Sequence, residues 1–80
     1  MIIMEIKVLF FGVLAEVTLV NCKHYSGVKS FEDLNGRIEE EFPEIVHYNF
    51  RFSLNNVLVE NNPQLNDGDE VALLPPFAGG

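Results

Sequence analysis

The sequence contains a single cysteine, Cys22, so no disulfide can form within the chain. A small domain without that staple belongs in a reducing, cytoplasmic setting. Basic side chains are scarce: five Lys and Arg stand against twelve Asp and Glu, for a formal net charge of −7. That balance argues against nucleic acid and against an anionic membrane surface, and it suits a basic protein partner. No apolar run approaches the roughly 20 residues that cross a bilayer. Met1-Ile2-Ile3-Met4 lacks the basic start and long apolar stretch of a signal peptide. Repeats, linkers and low-complexity segments are absent. Cys and His do not cluster, and His24 and His47 are too far apart in sequence to suggest a metal site. Cys22 has no neighbour in sequence that would activate a thiol, and it reads as a small buried or half-buried hydrophobe.

What is present suffices for one compact domain. The 80 residues are 48% hydrophobic and include seven Phe, enough to bury at most about 65% of the unfolded surface. The first strand is expected over Ile2–Phe11. Alternation turns Ile6, Val8 and Phe10 to the core and leaves Leu9 and Phe11 on the side of Lys7. An outward Leu and Phe suit ordinary surface or half of a docking patch. Gly12 breaks the pattern, and Leu14–Val17 form a short turn or helical loop. A second strand is expected over Thr18–Tyr25, closed by Ser26-Gly27.

Ser30 caps a helix, with Asp33 in a capping-box-like position. Phe31, Leu34, Ile38 and Phe42 recur at helical spacing and form one apolar face. Gly36 weakens that helix by about 1 kcal/mol relative to Ala, and Pro43 ends it. Glu39, Glu40 and Glu41 form a solvated face, because consecutive helical positions do not converge on one ion. A third strand is expected over Tyr48–Leu54. Asn55-Asn56 make a tight turn into Val57–Val59. Asn61-Asn62-Pro63 form a loop and Asp67-Gly68 a turn. Glu70–Leu74 is the last strand, with Val71 and Leu73 on one face and Ala72 and Leu74 on the other.

The sequence then runs Pro75-Pro76-Phe77-Ala78-Gly79-Gly80. The prolines fix φ and donate no N–H, so no ladder passes through them. The segment is expected to leave the fold stiff and extended and to turn flexible at Ala78. Gly79 and Gly80 can thread a channel too narrow for other residues. A carboxylate on Gly80 resists nucleophiles until an oxygen becomes a good leaving group, so the tail reads as the substrate of an activating enzyme. Residues 1–74 are therefore expected to fold as one domain and 75–80 to form a tail. Two strands, a crossing helix and further strands leading to Gly-Gly make an α+β chain of β-grasp pattern: a mixed sheet with one covered face.

Three stretches carry a family resemblance. Ile6–Phe11 looks like the opening strand of the family, and Leu54–Val59 like its central hairpin. Leu65–Ala72 running into Pro75–Gly80 looks like its C-terminal signature. The chain resembles the small subunit of molybdopterin synthase, MoaD-like, within the ubiquitin-like sulfur carriers (MoaD/ThiS). The resemblance implies that a MoeB-like enzyme uses ATP to adenylate Gly80, and that a sulfur donor protein converts the acyl-adenylate to a thiocarboxylate. It implies a MoaE-like large subunit as partner, in a heterotetramer, which receives the tail and passes sulfur to cyclic pyranopterin monophosphate (precursor Z). Catalytic side chains would lie on that subunit, and this chain would bind no cofactor and no metal. Docking residues in the family match Phe11, Leu58 and Leu74. Many members carry Arg-Glu after the first strand, where this sequence has Ala15-Glu16. A ThiS-like carrier for thiamine thiazole synthesis shares the fold and Gly-Gly but typically lacks the double proline. A ubiquitin-like protein modifier would join Gly80 to lysines, and its tail is usually basic.

Overall fold

A computed structural model describes residues 3–76. Five strands form one mixed sheet: β1 (Met4–Phe10), β2 (Cys22–Val28), β3 (Arg51–Leu54), β4 (Val57–Val59) and β5 (Glu70–Leu74). Their order across the sheet is β2-β1-β5-β3-β4. β1 and β5 run parallel at the centre, and the other pairings are antiparallel. Helix α1 (Val13–Thr18) connects β1 to β2, and helix α2 (Phe31–Glu41) with a 3-10 turn (Pro43–His47) carries the chain from β2 to β3. Among the described residues no helix is long and apolar enough to cross a membrane. This is the expected α+β, β-grasp architecture.

The core follows the two periodicities of the sequence. Ile6 and Val8 of β1, and Val71 and Leu73 of β5, point to one face of the sheet and are fully buried. Leu34 and Ile38 of α2 are fully buried against them, with Phe31 nearly so. Phe10 meets Phe42 edge to face at 5.5 Å between ring centres, and Phe31 meets Phe52 at 4.8 Å. Such contacts contribute beyond the area that they bury. Ser30 Oγ accepts from Asp33 N–H at 3.0 Å, as a cap should. Asp33 returns to Lys29 N–H, one residue before the cap, at 3.0 Å. Asn55 and Asn56 take φ of 49° and 74° in the β3–β4 turn, as a tight hairpin requires.

The expected bounds of three strands are corrected. β1 begins at Met4 and ends at Phe10, inside the expected span. The second strand starts at Cys22 and not Thr18. Thr18 reads as a strand residue because it is β-branched, but its hydroxyl donates to Leu14 O at 2.9 Å, which binds it to the end of α1. Ser26 and Gly27 do not close β2. Met4 pairs with Val28 and Ile6 with Tyr25, so the register gains one residue between them. Gly27, at φ 70°, sits in that β-bulge and lets the strand continue. The third strand begins at Arg51 and not Tyr48. Pro43–His47 are wound into the 3-10 turn, which buries Ile45 completely.

Candidate docking face and the root of the tail

Among the described residues no helix covers the face of the sheet opposite α2, and a row of side chains crosses it in register. Leu9 of β1 pairs with Ala72 of β5, Ala72 with Ser53 of β3, and Ser53 with Leu58 of β4. Paired residues share a face, so these four stand side by side on it, with Ala72 and Ser53 buried in the middle of the row. Cys22 pairs with Leu9 at the other end of the row and is half-buried, as expected. Leu74 and Phe11 extend the row towards the end of the sheet where β5 stops. With Leu9, Ser53, Leu58 and Ala72 they line one shallow depression of about 210 Å³.

Phe11 is 45% exposed and Leu58 50% exposed. Two strands separate them, but both line the same depression, and large apolar groups left that open on one hollow form a patch rather than scattered surface. Leu74 is half-buried. The three residues singled out as Phe11, Leu58 and Leu74 come from three different strands or their ends, and the fold brings them to one place. Alternation sets Ser53 apart from Phe50, Phe52 and Leu54, but only the cross-strand register puts it between Ala72 and Leu58. Charge frames the row: Lys7 pairs with Glu70 at 3.8 Å, and Arg51 stands opposite Leu74 with an exposed side chain. Ala15 is half-buried against the core on α1, while Glu16 beside it is exposed.

The tail leaves from the edge of this face. Phe11 N–H donates to Leu73 O at 3.1 Å, one step beyond the β1–β5 ladder. Leu74 is the last paired residue of β5, and Pro75 and Pro76 follow it outside any strand. Phe77, Ala78, Gly79 and Gly80, expected to carry the chemistry, lie outside the described residues. Among the described residues, no three His, Cys, Asp or Glu side chains gather as a metal site would require.

Comparison with known proteins bears on this arrangement. The model of the ThiS family matches residues 8–80. A molybdopterin synthase sulfur carrier subunit from Chlamydomonas reinhardtii is 38% identical over 84 aligned positions, covering 96% of this chain and all of that one. The structure of a complex of subunits 1 and 2 of molybdopterin-converting factor from Helicobacter pylori contains a similar chain. It is 29% identical, with a TM-score of 0.73, over 96% of this chain and all of that one. The small archaeal modifier protein 1 from Methanosarcina acetivorans shares the fold at a TM-score of 0.83 and 21% identity, over the full length of both. The family match across nearly the whole chain, joined to full-length identity with a curated relative, makes this protein a member of the ThiS family.

Proposed function

We propose that this protein is the sulfur carrier subunit of a molybdopterin synthase. The observation that carries the reading is the full-length identity to the Chlamydomonas reinhardtii sulfur carrier subunit. Gly80 is the working residue. Its carboxylate oxygen attacks the α-phosphorus of ATP on a MoeB-like activating enzyme, and pyrophosphate leaves. A sulfide equivalent from a donor protein then attacks the carbonyl carbon, and AMP leaves. The resulting thiocarboxylate holds a soft nucleophile at the tip of a chain with two side-chain-free residues. A MoaE-like large subunit accepts the tail, and the sulfur passes to cyclic pyranopterin monophosphate. The chain itself binds no cofactor; ATP belongs to the activating enzyme.

The open sheet face supports this reading physically. A carrier whose reactive group lies on a narrow tail needs a grip elsewhere, and the apolar row of Leu9, Phe11, Leu58 and Leu74 lies beside the root of that tail. The complex of the related Helicobacter pylori chain supports a second subunit as the occupant.

The test is intact mass after co-expression with the cognate activating enzyme and sulfur donor, followed by molybdopterin synthesis with the large subunit. The wild-type chain should gain the mass of one oxygen replaced by sulfur. Deleting Gly80 should abolish both that gain and product formation, with stability changed by no more than about 0.5 kcal/mol. Undiminished product from the truncated chain would sink the reading. Lysine-linked conjugates in place of thiocarboxylate would favour a protein modifier, and transfer to a thiazole synthase would favour the thiamine branch.

A further inference from the structure

The turn after β1 contains a glycine whose place in the fold is tied to the tail rather than to α1 alone. Gly12 has φ 58° and ψ −133°, the backbone of the first central residue of a type II′ turn, where glycine dominates. Leu14 N–H closes that turn on Phe11 O at 3.1 Å. The bare α-carbon faces the tail root. A Cβ built on Gly12 would stand 3.0 Å from Pro75 Cγ, 3.6 Å from Cδ and 3.9 Å from Cβ. Carbon atoms in good contact lie about 3.5–4.0 Å apart, so at the first distance the ring would have to give by a few tenths of an ångström. The neighbour is a closed ring tied to the backbone, so it yields by a change of pucker or by moving the tail root rather than by swinging away as the end of a long side chain would.

Pro75 is thus held from two directions. Behind it, Leu73 O is fixed by Phe11 N–H, the residue adjacent to Gly12. Beside it, the missing side chain of Gly12 leaves room for its half-buried ring. Proline already fixes its own φ. The contact with Gly12 adds the constraint that proline alone cannot supply, the placement of the ring relative to the sheet.

We propose that Gly12 is a positioning residue for the C-terminal tail: the side-chain-free turn after β1 seats the Pro75 ring and sets the direction in which the chain leaves the sheet. The structural part stands on the contact itself; its consequence for Gly80 activation rests on the sulfur-carrier reading above.

Two measurements on Gly12→Ala, Pro75→Gly and the double variant test it. The first places nitroxide labels at Lys29→Cys and Ala78→Cys in a Cys22→Ser background and records the distance distribution well below Tm. Both single variants should broaden or shift the distribution, and the double variant should go no further than either one. A wild-type distribution in Gly12→Ala, or additive changes in the double variant, would overturn the seat. The second measures adenylation of Gly80 by the cognate activating enzyme. Gly12→Ala should lower kcat/KM about tenfold to a hundredfold, as misplacement of a reacting group does. Docking of the folded domain, measured by competition with chains lacking residues 77–80, should stay within about twofold. Equal losses in docking and adenylation would mark a merely structural role. Should Gly12→Ala fail to fold, Pro75→Gly leaves the turn intact and carries the same two expectations; normal behaviour of that variant in both overturns the proposal. Failure of the wild-type chain to be adenylated would count against the sulfur-carrier reading alone, because the distance measurement judges the seat without it.

Discussion

Glu41 looks in the sequence like one of three adjacent carboxylates on a solvated helical face, and the fold gives it partners. Tyr25 of β2 donates its hydroxyl to Glu41 at 2.8 Å, and the ammonium of Lys23 pairs with the same carboxylate. Arg37 lies 5.5 Å over the Tyr25 ring and donates to Ser26 O at 2.7 Å, so the end of α2 is fastened to the edge strand. The Lys23 hydrogen bond holds the Glu41 carboxyl below its usual range, with Tyr25 assisting and partial burial opposing. Burial first, and then the bond to Glu41, push the Tyr25 hydroxyl far above the ordinary 10.0. The two shifts act at opposite ends of the pH scale. A depressed Glu41 adds stability that is present above the ordinary carboxylate range and is lost as pH falls through its folded value. A raised Tyr25 adds stability that is present below about pH 10 and is lost as pH rises beyond it. Melting curves across pH should therefore show Glu41→Gln less sensitive to acid than wild type, by no more than about 1 kcal/mol for so exposed a pair. Tyr25→Phe should be less sensitive to alkali. Parallel curves for wild type and both variants would show that the cluster contributes nothing to stability.

The elements that sequence periodicity identified best are those with one clean apolar face. In β1 the alternation of Ile6, Val8 and Phe10 against Lys7, Leu9 and Phe11 fixed both faces. In α2, Phe31, Leu34 and Ile38 all reach the core. Ile38→Ala should therefore cost about 2–5 kcal/mol by chemical denaturation, as buried Ile truncations do. β2 was less legible, because the local back-bonding of Thr18 to Leu14 delays its start and a non-local event, the bulge at Gly27 against β1, carries it past its expected end. The open face makes the opposite prediction to the core. Phe11→Ala and Leu74→Ala should weaken association with the large subunit by about 1–3 kcal/mol and leave melting nearly unchanged. Calorimetric titration alongside thermal melting checks this, and a collapsed melt with unchanged affinity would mean that these side chains serve the core.

For the molecule as a whole, the double proline and the position of the tail belong together. β5 lies at the centre of the sheet between β1 and β3, so the segment after Leu74 starts beside the open apolar row. Replacing Pro75 and Pro76 together by Gly adds backbone freedom that must be lost when a partner takes the tail, at roughly 1–2 kcal/mol for each freed residue. The folded domain should barely respond, since neither proline donates to a ladder. Steady-state kinetics of Gly80 adenylation should show a higher KM beside an almost unchanged Tm. Wild-type kinetics would reduce the prolines to a strand stop. The net charge of −7 adds a salt dependence: association with a basic partner should slow as ionic strength rises.

The sequence by itself determined the class of fold, the core face of β1, the capped helix, the Asn-Asn turn and the place where β5 must stop. Each depends on neighbours within a few residues: alternation, helical spacing, a side-chain cap, positive φ, a missing N–H. It also singled out Phe11, Leu58 and Leu74, two of them through alternation and all three through family resemblance. Only the tertiary structure decided that these residues share one face with Ser53, because cross-strand register joins Leu9 to Ala72, Ala72 to Ser53 and Ser53 to Leu58 across four strands. The same holds for Tyr25 with Glu41, and for Gly12 beneath Pro75. Local chemistry could mark Gly12 as a break and Pro75 as a stop, but a missing Cβ and a rigid ring acquire a joint meaning only when parallel pairing of the first and last strands brings them into contact.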